Sequence, residues 1–91
     1  MNLNTRYVWS DNFCSTEIDD TLVLLVIDSG KYFSFSKTAK AIWQLLESPS
    51  SAEEVTAHLV TRFDISVERC LSETTAFISA LESRELVKKA V

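Results

Sequence analysis

The chain has 91 residues, of which 46% are hydrophobic and 24% are charged, and its formal net charge is −4. A chain of this length forms one domain, because two independent cores would each be too small to fold. The acidic balance disfavours nucleic acid as a partner, since binding to phosphates depends on lysine and arginine side chains.

The first third of the chain predicts β-strands. Residues 6–9 are β-prone, and residues 13–18 mix aromatic and β-branched side chains. Residues 21–27 form the clearest strand, and residues 32–35 return after a short connection in which Gly30 supplies the positive φ that such a turn needs. The last three segments together predict an antiparallel meander.

From Ser36 onward the hydrophobic period changes from two to about 3.6, which predicts helices. Ser36 is the expected N-cap of the first helix, and Pro49 is its expected stop. Ser50 and Glu53 have the spacing of a capping box at the start of the second helix. The expected apolar faces are Ala39, Ile42, Trp43 and Leu46 in the first helix, and Val55, Leu59 and Phe63 in the second.

A third helix is predicted from Val67 to about Arg84, followed by a tail in which Leu86 and Val87 pack back. Its expected apolar face consists of Val67, Leu71, Thr74, Ile78 and Leu81, with Cys70, Phe77 and Ala80 on a neighbouring face. The order of elements predicts an α+β fold, a three-stranded antiparallel sheet followed by three helices in a winged-helix-like arrangement. We expect one domain over residues 1–91, with residues 1–12 as an N-terminal arm or an extra strand.

The chain offers few residues for catalysis. His58 is its one histidine and falls in the middle of a predicted helix, where a solvated surface position is the simplest interpretation. A Cys70 thiol with His58 as its base has no local support, and these residues lack the close spacing of a zinc site. Glu53 and Glu54 fit a helix N-terminus, where the helix dipole favours acids. The sequence therefore predicts no enzyme, no metal site and no cofactor.

The sequence also indicates a compartment. No apolar segment follows a basic stretch near the N-terminus, so no signal peptide is predicted. The longest apolar run, Leu22 to Ile27, is far shorter than the roughly 20 residues that span a bilayer. We therefore expect a cytoplasmic protein without a membrane partner, in which Cys14 and Cys70 stay reduced.

The strand over residues 21–27 is apolar on both of its faces, whereas three short helices cover only one face of so small a sheet. The second face needs a cover, which is the N-terminal arm with Tyr7 and Trp9, a second subunit or a bound ligand. The arm is the preferred interpretation and a homodimer is the next.

The strand over residues 32–35 is expected at the edge of the sheet, with Phe33 and Phe35 facing the helices. An exposed edge allows β-augmentation, in which a peptide adds as another strand through main-chain hydrogen bonds. The side chains that a third helix alongside would supply are Cys70, Glu73, Phe77 and Arg84. In the alternative interpretation Phe77 belongs to the core and Lys31 protects the edge, and the residue pattern leaves both open.

Five segments in order make the chain resemble the PqqD family. Residues 24–36 (LLVIDSGKYFSFS) hold a strand, a glycine turn and an aromatic strand, and residues 41–46 (AIWQLL) follow in a helix. Residues 51–55 (SAEEV), 62–65 (RFDI) and 76–87 (AFISALESRELV) continue the match. The resemblance depends on the order and spacing of these segments rather than on any single motif.

The resemblance implies that the chain binds the leader segment of a ribosomally made precursor peptide. In the family the leader adds as a fourth strand in a cleft between the third strand and the third helix. The domain then presents it to a modifying enzyme or a leader peptidase, and freestanding members include leader-binding proteins of lasso-peptide pathways. Carried over by position, the implied peptide-binding residues are Lys31, Tyr32, Phe33, Ser34, Phe35, Ser36, Cys70, Glu73, Thr74, Phe77, Leu81 and Arg84. Among them, Glu73 falls where many members carry an acidic residue, which would meet a basic or hydroxyl group of the leader.

One departure and two alternative functions complete the sequence interpretation. Glu85 replaces the glycine that usually stands before the final leucine of the family, so a different helix end is expected. A winged-helix DNA-binding protein needs a basic recognition helix. The charged residues of the third helix are instead Glu68, Glu73 and Glu82 against Arg69 and Arg84. A homodimeric structural subunit follows from the two-sided apolar strand and is compatible with peptide binding.

Overall fold

The computed structural model describes residues 3–90, which form two antiparallel sheets and three helices. The strands are β1 (Arg6–Trp9), β2 (Phe13–Ile18), β3 (Thr21–Val26), β4 (Tyr32–Phe35), β5 (Ser50–Ser51) and β6 (Val87–Lys89). The helices are α1 (Lys37–Leu45), α2 (Ala52–Arg62) and α3 (Val67–Ser83). The predicted α+β fold is confirmed.

The predicted meander forms the first sheet, with the strand order β2-β3-β4. The connection between β3 and β4 contains Gly30 at φ 70°, as the sequence predicts. Asp19 and Asp20, both at positive φ, close the turn between β2 and β3, as a two-residue hairpin turn of this type requires. The outer strands of this sheet are therefore β2 on one side and β4 on the other.

The second sheet joins distant parts of the chain, in the order β5-β1-β6. The strand predicted over residues 6–9 is confirmed, whereas the C-terminal tail pairs with it as β6 rather than only packing back. The backbone amide of Trp9 donates to the carbonyl of Leu46, and its indole Nε1 donates to the carbonyl of Trp43 at 2.8 Å. These bonds fasten β1 to the end of α1.

The N-terminal strand therefore does not cover the outer face of the meander, and the preferred interpretation of residues 1–12 is wrong on this point. Within residues 3–90 that outer face stays open, with Val23 and Leu25 half-buried and Ile27 and Tyr32 56% and 70% exposed. Residues 1 and 2 lie outside the described part of the chain.

The core lies between the inner face of the meander and the three helices. Trp43 of α1 is at its centre, stacked on Trp9 at 5.0 Å between ring centroids and met edge-on by Phe13 at 5.0 Å. Such offset and edge-to-face pairs stabilise the fold beyond the area they bury. Phe35 reaches the same indole from β4, so the core extends directly to the sheet edge.

The capping box of α2 lies one residue later than the sequence predicts. The amide of Glu54 donates to the Ser51 hydroxyl at 3.1 Å, and the amide of Ser51 donates to the Glu54 carboxylate at 3.0 Å. The reason is that Ser50 is held in β5, opposite Tyr7, so the helix starts after Ser51. The hydrogen bond from the Ser51 amide and the nearby Arg6 guanidinium lower the pKa of the Glu54 carboxyl.

Helix α3 is rotated relative to the predicted face. Its buried stripe consists of Cys70, Thr74, Ile78 and Leu81. Val67 is instead 59% exposed and Leu71 half-buried. Val67 is the first helical residue, so its side chain lies at the margin of the helix packing rather than under it. The consequence is that Phe77 and Arg84 come out beside the core-facing stripe, toward β4.

The end of α3 keeps the left-handed geometry that glycine favours, although Glu85 occupies the position. Glu85 has φ 58°, and its amide donates to the carbonyl of Glu82 at 3.0 Å. The amide of Leu86 donates to the carbonyl of Leu81 at 3.0 Å, which completes a Schellman motif. The different helix end expected from Glu85 is therefore wrong, and the residue adopts a backbone conformation that is unfavourable for a side chain.

Candidate functional site

The candidate site is the groove between the free edge of β4 and helix α3. No strand within residues 3–90 pairs with the outer side of β4. The carbonyl of Lys31 accepts a bond from Val26 in β3, and Phe33 and Phe35 lie opposite β3 residues in the same alternation. Because successive residues of a strand point their backbone groups to opposite sides, the N–H and C=O groups of Tyr32 and Ser34 face the groove edge. This edge therefore presents backbone donors and acceptors to an incoming strand.

The middle of the groove is apolar. Phe33 and Phe35 point from β4 toward α3, while Tyr32 and Ser34 point away, as predicted. Phe77 of α3 meets Phe35 edge-on at 5.1 Å between ring centroids. Leu81 and Leu86 are buried beneath them and line the floor of a cavity of about 190 Å³. Side chains that project into this region are thus surrounded by aromatic and aliphatic carbon.

Toward α1 the groove widens into a larger cavity of about 770 Å³. Its apolar wall includes Ile42 from α1, Phe63 and Ile65 from the connection between α2 and α3, and Phe77, which it shares with the middle of the groove. Its rim carries Arg69 and Glu73, which form an ion pair at 3.5 Å along one side of α3. Both members are at least half exposed, so this pair contributes little to stability.

Toward the connection between β3 and β4 the groove becomes polar. A cavity of about 360 Å³ there is lined by Asp28, Lys31, Arg84 and Glu85, together with Phe33 from the middle of the groove. The Arg84 guanidinium lies over the Phe33 ring at 4.8 Å from its centroid. The groove therefore has an apolar wall with a paired Arg69 and Glu73 at its rim toward α1, and several charged side chains at its other end.

The structure brings most of the predicted site residues together and places two of them elsewhere. The predicted residues that lie along the groove or its edge are Lys31, Tyr32, Phe33, Ser34, Phe35, Ser36, Glu73, Phe77, Leu81 and Arg84. Cys70 and Thr74 are instead buried in the core stripe, 1% and 0% exposed, with Sγ and Oγ1 3.9 Å apart. A peptide on this surface has no access to them, because the helix turns both side chains inward.

Among the groove residues that were missed as site candidates, Ile42, Phe63 and Ile65 form the apolar wall of the wide end. Ile42 was assigned only to the core of α1, Phe63 only to the face of α2, and Ile65 only to a break between helices. For Phe63 and Ile65 the available signal is apolar character where α2 ends and the connection to α3 begins, whereas Ile42 lies inside α1 and its sequence position carries no such signal. That signal becomes specific only when the tertiary fold brings α1 and the connection to the same side of α3.

The residues considered for catalysis from the sequence are not brought together at this groove. His58 is exposed on α2, whereas Cys70 is buried on α3, so they do not form a nucleophile and its base. Within residues 3–90 no three acidic, histidine or cysteine side chains are grouped as metal ligands. None of the helices in this part of the chain has the length and apolar character needed to cross a bilayer.

Comparison with known proteins gives one family match and similar solved structures. The family model described as coenzyme PQQ synthesis protein D (PqqD) matches residues 21–87. A solved structure of TbiB1 in complex with the TbiA(beta) leader peptide is 28% identical, with a TM-score of 0.81 over 92% of this chain and 98% of that one. A lasso peptide synthetase B1 complexed with its leader peptide is 21% identical, with a TM-score of 0.79 over 90% and 96% of the two chains. No match is found among curated proteins.

Proposed function

Because the chain belongs to the PqqD family, we propose that it binds the leader segment of a ribosomally made precursor peptide and presents it to a modifying enzyme or a leader peptidase. The leader adds to β4 as a further strand. The observation that carries this proposal is the free edge of β4 beside the apolar groove under α3. The similar structure of TbiB1, which is 28% identical, is a complex with a leader peptide, and this supports the same assignment.

The backbone and the side chains of the groove contribute to binding in different ways. The N–H and C=O groups of Tyr32 and Ser34 supply main-chain hydrogen bonds, which are independent of the leader's sequence. Each such bond contributes roughly 0.5–1.5 kcal/mol net. Every second side chain of the added strand projects into the groove, where Phe33, Phe35 and Phe77 supply the apolar surface that discriminates between leaders.

The proposed role is that of an adaptor rather than an enzyme. The groove offers hydrogen-bonding groups and apolar surface, and its charged side chains are suited to orienting a peptide. We propose that residues 1–91 act as one unit, with β1 as the extra strand that fastens the N-terminal region to α1. We place this unit in the cytoplasm, and the free thiols of Cys14 and Cys70 support that compartment.

A titration followed by amide chemical shifts tests the proposal. The ligand is the leader of a precursor peptide encoded beside this chain, and the expected shifts fall on residues 31–36 and 66–84. Hydrogen exchange sharpens the test. The peptide should slow exchange at the Tyr32 and Ser34 amides, whereas the Phe33 and Phe35 amides are already bonded to β3. No shift with any such leader at high micromolar concentration contradicts the proposal.

A further inference from the structure

Arg84 makes two contacts at the charged end of the groove. Its guanidinium carbon lies 4.8 Å from the centroid of the Phe33 ring, and its Nη1 donates to the carbonyl of Ala80 at 3.2 Å. The contact with Phe33 joins the end of α3 to β4, and the hydrogen bond to Ala80 ties the side chain back to the last turns of α3. Neither contact neutralises the positive charge, because an aromatic face and a backbone carbonyl are both uncharged.

The other charges of the groove do not neutralise Arg84. Arg69, at the opposite end, is paired with Glu73. Asp28 and Glu85 line the same cavity as Arg84, yet the ion pairs among residues 3–90 do not include it. Lys31 also lines this cavity and is exposed, as Arg84 is, but its side chain makes no contact of this kind. Arg84 is therefore the cation that the groove itself keeps in place.

An arginine held in this way is suited to a carboxylate. Within residues 3–90 its Nε and Nη2 donate to no acceptor, which leaves donors of the planar guanidinium free for a carboxylate oxygen. We propose that Arg84 selects leaders that carry Asp or Glu at the groove-facing position beside the end of α3. This inference rests on the proposed function, since it names the class of peptide that the same groove accepts.

The position of the acid follows from the geometry of an added strand. Side chains of a strand alternate between its two faces, so the groove meets every second residue of the peptide. The groove-facing peptide side chains nearer α1 contact Phe35 and Phe77. The groove-facing peptide side chain at the other end contacts Phe33 and lies next to Arg84. The selected peptides should therefore combine apolar groove-facing residues with one acidic residue at a fixed distance from them.

A displayed library of short linear peptides with random sequence tests this inference without a known leader. It is selected on the full chain, on Arg84→Gln and on Arg62→Gln. The last variant is the control, because Arg62 lies over Phe63 in a similar contact at 5.5 Å and does not line the charged end. We expect one acidic position in peptides from the wild type and from Arg62→Gln, and none in those from Arg84→Gln.

A second measurement separates recognition from an indirect effect on folding. The most enriched peptide is compared with its Asp→Asn or Glu→Gln counterpart by calorimetric titration against each variant. The acid should strengthen binding about tenfold to the wild type and leave binding to Arg84→Gln unchanged. Enrichment of Lys or Arg, no acidic preference, or an equal effect of the acid in both proteins overturns the inference and leaves peptide binding intact. Failure to enrich any peptide contradicts the proposed function itself, and the inference with it.

Discussion

The two outer strands of the meander have the same backbone chemistry and different surroundings. β2 and β4 each leave one side unpaired within residues 3–90. Five of the six residues of β2 are exposed, and the side chains of these five end in solvent or, for Glu17, in an ion pair with Lys40 at 3.0 Å. β4 instead borders α3, with Phe33 and Phe35 directed into the space between them.

This difference shows that a free strand edge is not in itself a peptide site. An edge supplies hydrogen bonds that any extended chain can use, so it can promote aggregation as well as specific binding. Charged residues such as Glu17 discourage pairing at β2. At β4 the nearby helix limits which peptides fit, because an added strand must place alternate side chains in the groove. Specific binding requires the edge and the groove together.

The largest expected effect comes from removing one backbone donor at the β4 edge. Ser34→Pro deletes the amide that faces the groove without touching the bonds between β3 and β4. Leader affinity should fall about 100-fold, because a peptide carbonyl loses its partner and the proline ring blocks the approach. Calorimetric titration of the leader measures this.

Ser15→Pro is the matched control at the other edge. Ser15 is an exposed serine whose backbone amide points away from β3, as that of Ser34 does. It should leave leader affinity unchanged. Equal losses in the two variants would show that the effect of proline is general, and a loss in Ser15→Pro alone would move the site to β2.

The next largest effect on leader affinity is expected at Phe77, in the apolar middle of the groove. Phe77→Ala should weaken leader binding about 20-fold, because the ring is half-buried against Phe35 and forms the wall that a peptide side chain contacts. Phe13→Ala is its control beside the β2 edge, where an equally half-buried ring packs on Trp43. It should lower the free energy of unfolding while the folded protein keeps its affinity. The reverse pattern would contradict the proposed groove.

The β4 edge also shows which parts of the fold and of the groove can be predicted from the sequence. The alternation of Phe33 and Phe35 with polar neighbours, together with the turn at Gly30, predicts both the edge and the side of it that faces α3. Such signals are local, because a period of two and a glycine turn are properties of adjacent residues. The meander and the middle of the groove could therefore be predicted.

The rest of the fold depends on residues that are distant along the chain. Ser50 and Ser51 have no strand signal of their own, and they form β5 only because Tyr7 and Arg6 lie opposite them. Their pairing also moved the capping box of α2 by one residue. Cys70 was expected at the cleft because periodicity alone does not fix the rotation of α3 to within one residue. The wide end of the groove likewise needs Ile42 and Ile65 brought together in space.

A smaller effect is expected on the free energy of unfolding at two residues that have a positive φ. Glu85→Gly should raise the free energy of unfolding by about 1 kcal/mol, because it relieves a side chain at positive φ. Asp20→Gly, in the turn between β2 and β3, tests the same relief of a positive φ at a second position, since the φ of Asp20 is 67°. Denaturant titration measures both. A loss of stability in Glu85→Gly would show that its side chain makes a contact worth more than the backbone conformation costs.

The smallest expected effect tests whether binding extends beyond the groove. His58 lies on the exposed face of α2, and it lines none of the three cavities along β4 and α3. His58→Ala should therefore change leader affinity by less than about twofold, as is usual for surface substitutions away from a site. A large loss on this face, with affinity retained in Phe77→Ala, would place the leader on α2 and remove the distinction between the two edges.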